Sequence, residues 1–487
     1  MQRYLLSLSL TTLLFSNPIY TKNITIQTSY ENLKISSTEY MGLLGVDYLF
    51  DYNSFFNYGF SVYGAVSGDR GGFFVGGVKL GASEPLDNNI YLNQTIFAGG
   101  GGGASAGQGG GLMLRGFIGA EYRRKKHSIK VGYSKVKFPN GSIDSSQLSF
   151  AISSKFKSLF LSDSFDKTLL KNYPLTKSKS YILSTFQTYH PKSSKTRSGL
   201  PLTKNISLIG VEYGSFFSNE FFSYLESAGA VHNATGYMEI LAGLGYKKEL
   251  FKNLNFKAKL SLGASGGGRV DSGGGAMAKA SFSLDYLPTK RFITSLGVGK
   301  LKAYDGEFDA DLVNLSLGIK TNFLSLGDKK DVDLDKIYTQ KFSIKVINQT
   351  YFYSKNLTTN NNKNDIQLMG IGLDWYLTKN LYLSGEAFGA YKGDAGGYAV
   401  GMFGLGYEKP ITNRLSFVTE LHIGASGGGS INSEGKIIQP MAGFGYNFDK
   451  LNSIELMGGK VKSLSSNMNS NLFHISYTHR FDKFMSK

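Results

Sequence analysis

The chain has 487 residues and a formal net charge of +17, with 41% hydrophobic, 14% aromatic and only 18% charged residues. Disordered chains combine low hydrophobicity with high charge, so this composition excludes disorder and suits many half-buried strands. The absence of cysteine excludes a disulfide framework, a thiolate metal site and a thioether lipid anchor.

The first element in chain order is "MQRYLLSLSLTTLLFSNP": Arg3, an apolar run from Leu5 to Phe15, then small and turn-forming residues. This is the pattern of a secretory signal peptide, expected over 1–22, and the run is too short to cross a bilayer. No later stretch reaches about 18 uninterrupted apolar residues, so a helical membrane protein is not expected.

From there the sequence repeats itself. "GVDY" at Gly45 returns as "GVEY" at Gly210 and "GLDW" at Gly372; "GAV" at Gly64 returns at Gly229 and as "GAY" at Gly389. "YSKVK" from Tyr133 matches "VGKLK" from Val298 and "GGKVK" from Gly458. Lys135 and Lys300 lie 165 residues apart, and Lys300 and Lys460 lie 160 apart, so the period is a whole structural unit. Three units are expected over 23–157, 180–324 and 342–481, with linkers at 158–179 and 325–341 and a short tail at 482–487.

The third unit contains eight strand-like runs bounded by turn residues: Phe342 to Ser354, Ile366 to Leu377, Leu381 to Tyr391, Tyr398 to Glu408, Leu415 to Gly424, Ile437 to Phe448, Ser453 to Val461 and Leu472 to Phe481. Their length is what a tilted strand needs to cross a bilayer. Short turns ("TKN", "KPITNR", "DKLN") alternate with long polar loops, a layout that a stack of soluble β-sandwiches does not explain. Within a strand, Met369, Ile371, Leu373 and Trp375 take one phase and Gly370, Gly372 and Asp374 the other, so one face suits lipid. Backbone groups in hydrocarbon must all be paired, which requires closed barrels.

On these runs, and on the aromatic-ended strands "SFAISSKF", "LSLGIKTNF" and "NLFHISYTHRF", the chain resembles bacterial outer-membrane β-barrel proteins. Each unit is similar in length and strand count to small eight-stranded OmpA/OmpX-type barrels. The six residues after Phe481 depart from that family's C-terminal pattern. The resemblance implies an all-β transmembrane fold in the outer membrane of a Gram-negative cell, insertion by the barrel assembly machinery, and contact with outer-membrane lipid and lipopolysaccharide. Closure stays open between three tandem eight-stranded barrels and one 24-stranded barrel. The long joins and the Gly-plus-apolar inward phase (Leu368, Gly370, Gly372; Val400, Met402, Gly404, Gly406) favour three filled barrels.

Inward carboxylates recur at Asp47, Glu212 and Asp374 on the second strand and at Glu121 and Asp285 on the sixth, where the third unit has Asn447. A buried carboxylate needs a partner, and Lys259 and Arg480 are inward cations, so an interior polar network is expected that also takes in Glu420 and His422. Lys135, Lys300 and Lys460 sit at the loop end of the seventh strand in the lipid-facing phase, where the ammonium reaches headgroups; they are candidates for lipopolysaccharide phosphate. His422, His474, Glu420 and Ser476 are the only residues for a barrel-borne lipid hydrolase, a remote alternative. No His or carboxylate cluster has ligand spacing, so neither metal nor cofactor is expected, and no stacking platform or helix-turn-helix suggests nucleic acid.

"GASGGG" at Gly263 and Gly424, with "GGGGGASAGQGGG" in the same slot of the first unit, lacks the spacing and the following helix of a phosphate loop. It is expected to be a surface hairpin loop whose glycines allow close approach of neighbouring loops. The expected function is a non-enzymatic surface or structural component; the alternative is a large passive, porin-like channel.

Overall fold

The computed structural model describes all residues except 1–18, 162–169, 172, 327–331, 361 and 487. The expected signal peptide and the centres of both linkers therefore lie largely outside the described residues. Among the described residues there is no α-helix, and a 3-10 turn at Leu334–Lys336 precedes the seventeenth strand.

The described residues form twenty-four antiparallel strands, in order. The first eight are β1 (Ile19–Lys34), β2 (Tyr40–Asp51), β3 (Phe56–Ser67), β4 (Phe74–Pro85), β5 (Ile90–Gly102), β6 (Leu112–Arg124), β7 (His127–Lys137) and β8 (Asp144–Leu161). The next are β9 (Leu175–Pro191), β10 (Ile206–Phe216), β11 (Phe221–His232), β12 (Met238–Phe251), β13 (Leu254–Gly266), β14 (Ala276–Tyr286), β15 (Phe292–Ala303) and β16 (Asp309–Leu326). The last are β17 (Ile337–Tyr351), β18 (Ile366–Tyr376), β19 (Leu381–Lys392), β20 (Ala399–Pro410), β21 (Leu415–Gly427), β22 (Gly435–Asn447), β23 (Asn452–Ser463) and β24 (Asn469–Ser486).

Hydrogen bonding joins all of them in one network, and the registers show how it closes. β1 pairs with β2 on one side and with β8 on the other, Ile26 lying opposite both Tyr48 and Ser154. β9 pairs with β10 and β16, and β17 pairs with β18 and β24, each along its length. The sheet thus forms three eight-stranded rings, bridged to one another at Asp482↔Leu161 and Phe323↔Met485.

The closing strands overrun the expected unit boundaries. β1 begins at Ile19, inside the span assigned to the signal peptide; β8 runs to Leu161 and β9 starts at Leu175, inside the first linker. β16 ends at Leu326, β17 starts at Ile337, and the tail after Phe481 is strand to Ser486. The reason is burial: Leu159, Leu161, Leu175, Leu324, Ile337 and Phe484 meet in one apolar cluster where the three rings touch. Next to it Phe323 and Phe481 both pack on Phe342, with centroids 6.0 Å apart in each pair.

Alternation along the strands sorts side chains as lipid requires. Outward residues such as Ile152, Leu262 and Phe444 are 64%, 64% and 53% exposed, building an apolar belt on all three rings. Inside, the loop-side half of each ring is an apolar plug. In the third it comprises Leu368, Ala390, Tyr398, Val400, Ile437 and Val461 and continues into the loops through Leu357 and Ile431. The first two rings carry matching plugs around Met41, Phe73 and Met113 and around Leu208, Tyr237 and Met277.

The glycine motifs hold the rings together. The third strand of each ring packs on the fifth and sixth of the next, in a cycle: β3 on β13 and β14, β11 on β21 and β22, β19 on β5 and β6. This is a head-to-tail contact repeated until it closes, as in a cyclic trimer, here within one chain. The "GAV" and "GAY" repeats meet the "GASGGG" slot of the next unit at equivalent positions. A Cβ on Gly64 would stand 2.8 Å from Ala264 Cβ, one on Gly229 3.3 Å from Ala425 Cβ, and one on Gly389 would run into the Gly100 carbonyl oxygen. Each third strand carries a bulge at the last residue of that motif, at Val66, Val231 and Tyr391, where a bulged strand bends locally. Backbone bonds cross the contact, Gly397 N–H to Gly101 O at 3.1 Å and Gly71 N–H to Gly273 O at 2.8 Å.

Candidate functional site

The polar half of each ring lies toward the short turns. Asp47, Glu212 and Asp374, Glu121 and Asp285, Lys259, Glu420, His422 and Arg480 are all buried there.

The second-strand carboxylate is the same in each ring, but its cation arrives from a different strand. Lys79 of β4 donates to Asp47 at 2.6 Å, and Lys259 of β13 donates to Glu212 at 2.7 Å. In the third ring Lys345 of β17 lies 3.1 Å from Asp374. One ammonium position above a fixed carboxylate can be reached from several strands of a narrow ring, so the repeat conserves the acid and not its partner.

The sixth-strand acids are met locally. Asp285 takes Lys257 at 2.7 Å, and Glu121 takes Arg123 at 2.8 Å and Lys130 at 3.7 Å. Asn447 accepts from Arg480 at 3.0 Å, and the same guanidinium donates to Glu408 at 2.9 Å.

Several interior groups are additional to those singled out in the sequence. Arg115 holds Glu31 through two bonds of 2.8 and 3.0 Å. Lys279 donates to Glu226 at 2.7 Å, Glu239 at 3.0 Å, Gln187 at 2.6 Å and Tyr189 at 3.0 Å. Lys345 also reaches Glu420 at 2.6 Å and Glu455 at 3.5 Å. The period-2 phase that marks Glu121 and Asp285 as inward also covers Arg115 and Lys279, six residues before them on the same strands.

The hydrolase constellation is not assembled. Ser476 donates to Glu455 at 3.3 Å, His474 shares a bond of 3.1 Å with Gln349, and both imidazoles are fully buried, away from lipid.

Lys135, Lys300 and Lys460 stand on the outer face at the loop ends of β7, β15 and β23, all exposed. Lys135 lies 3.2 Å from Asp144 and Lys300 3.2 Å from Asp309. In the third ring Asn469 takes the place of those two acids, opposite Lys462 as Asp144 is opposite Lys137. A groove of about 830 Å³ runs down the outer face of the first ring from Tyr52 and Phe56, past Ile96, Gly116 and Tyr133, to Lys135.

No protein-family model matches the chain, and no curated protein sequence matches it. Among solved structures it is similar to the siderophore receptor PirA from Acinetobacter baumannii at 9% identity, covering 94% of this chain and 80% of that one with a TM-score of 0.27. It is also similar to the outer membrane protein opdK from Pseudomonas aeruginosa at 10% identity, covering 95% and 98% with a TM-score of 0.22. These scores carry no functional argument. From its own strands and lipid-facing belt, the chain has the architecture of an outer-membrane β-barrel protein.

Proposed function

We propose that the chain is a non-enzymatic surface component of the outer membrane, a single-chain platform of three filled barrels that presents its glycine-rich loops as one rigid face. The observation that carries this is closure after every eighth strand around an interior occupied by an apolar plug above an ion-pair network. An eight-stranded ring leaves room only for its own side chains. A passive channel needs a wide ring around water, so planar-bilayer recordings of the purified chain are expected to stay silent; nanosiemens steps would overturn the reading.

The aromatic-rich β24 supports insertion by the barrel assembly machinery. Lipopolysaccharide contact belongs to the same reading. The groove on the first ring has the apolar wall for acyl chains with Lys135 at its headgroup end, and Lys300 and Lys460 repeat that lysine on the other rings. Lys460, with no acid at the Asn469 position, is the least neutralised of the three. Replacing all three by Ala is expected to reduce lipopolysaccharide that copurifies with the protein; unchanged lipid would remove this part of the proposal.

A further inference from the structure

The third interior departs from the second on its third and sixth strands, and the difference leaves one carboxylate and one imidazole without hydrogen-bond partners. On the third strand the second ring has Glu226 and the third has Glu386 at the equivalent position, three residues before the glycine of the "GA" motif. In the second ring Lys279 of the sixth strand neutralises Glu226 at 2.7 Å. The equivalent of Lys279 in the third ring is Gln439, because Lys279 lies opposite Ser261 as Gln439 lies opposite His422. Gln439 exchanges hydrogen bonds of 3.0 and 3.1 Å with Gln349 and offers no charge.

Glu386 is therefore buried with neither carboxylate oxygen bonded. Both ring nitrogens of His422 and Oε2 of Glu420 are also buried and unbonded. These groups face one another: His422 Nε2 is 4.0 Å from Glu386 Oε2, and Nδ1 is 3.9 Å from Glu420 Oε2. One donor atom from each of the three side chains lies within 4.8 Å of the others. A buried ionised carboxylate without hydrogen bonds is unfavourable, so Glu386 needs either a proton or a cation. Two carboxylates and an imidazole form a mixed oxygen and nitrogen set suited to a borderline divalent metal. Bonds of about 2.0–2.2 Å would need the donors to close by less than roughly 1 Å.

We propose that Glu386, Glu420 and His422 bind one Zn²⁺ inside the third barrel. The proposal rests on the interior alone and stands whether or not the surface role is correct. The test uses the full chain folded in detergent, stripped with chelator, equilibrated with Zn²⁺, desalted and assayed for metal. One Zn²⁺ per chain is expected, and E386Q and H422N should each weaken binding at least about tenfold, as loss of a ligand does. Q439K is the decisive variant. It restores the ammonium that occupies this position in the second ring, so it should keep the heat-modifiable folded band and exclude the metal. Wild-type protein that retains no Zn²⁺ would overturn the proposal, as would a folded Q439K or E386Q that retains as much as wild type.

Discussion

Lys279→Met tests whether the ring interiors are held by charge pairing. The ammonium serves Glu226 and Glu239 together, at 2.7 and 3.0 Å, and it is 4% exposed. Removing one member of a buried pair costs roughly 3–5 kcal/mol because the other charge remains buried. Here two carboxylates lose their cation, and the Gln187 and Tyr189 oxygens lose a donor. We expect a loss of about 4 kcal/mol, roughly a thousandfold in the folding equilibrium at 1.36 kcal/mol per decade. The variant K279M/E226Q/E239Q removes the stranded charges and should return to within about 2 kcal/mol of wild type, since neutral amides can still hydrogen-bond. Urea titration in lipid vesicles would follow the strands by circular dichroism. The single tryptophan, Trp375, lies in β18 of the third ring and reports that ring separately. Its transition should stay in place while the second ring's moves. A K279M loss below about 1 kcal/mol, or a neutralised variant no more stable than K279M, would refute the reasoning.

Three further outcomes can be checked. G229C/A425C should form a disulfide between the second and third rings on mild oxidation, because the Cβ separation of 3.3 Å is near bonding range and the chain has no other cysteine; two free thiols after oxidation would contradict the cyclic packing. Phe484→Ala empties the junction of the three rings and should cost about 3–5 kcal/mol, exposing Lys483 to trypsin, whereas unchanged protection there would show that the junction does not hold β24. Glu39 accepts from Arg70 at 2.5 and 2.7 Å in the loops of the first ring, and the guanidinium holds its carboxyl below the ordinary range. That link contributes above the ordinary glutamate pKa and is lost as pH falls through the depressed one. Carboxyl NMR should give Glu39 a midpoint below about 4.3; a midpoint at or above that value would exclude the pairing in solution.

The eight runs read in the third unit coincide with β17 to β24 to within a few residues at most ends, since alternation and turn residues are local signals. All nine candidate interior residues are buried, in keeping with a strand's period of two, which leaves only two faces. The partners were not legible. Asp47, Glu212 and Asp374 share a position, yet their lysines come from β4, β13 and β17, and only the diameter of the closed ring makes those choices equivalent. His422 was visible as inward, but the vacancy of charge around Glu386 was not, because it depends on Gln439 standing across the ring where another unit has lysine.

The glycine repeats show the same division. The sequence by itself determined that "GASGGG" marks one hairpin slot in each unit and that it favours close approach, because glycine's lack of a Cβ is a property of the residue. It also determined the strands, their faces and the threefold repeat. Tertiary structure alone decided that the sheet closes after every eighth strand, that the closing strands lengthen to bury a shared junction, and that each "GASGGG" lies against the "GAV" or "GAY" of the neighbouring unit. Those outcomes depend on contacts between residues more than a hundred positions apart, which no local pattern encodes.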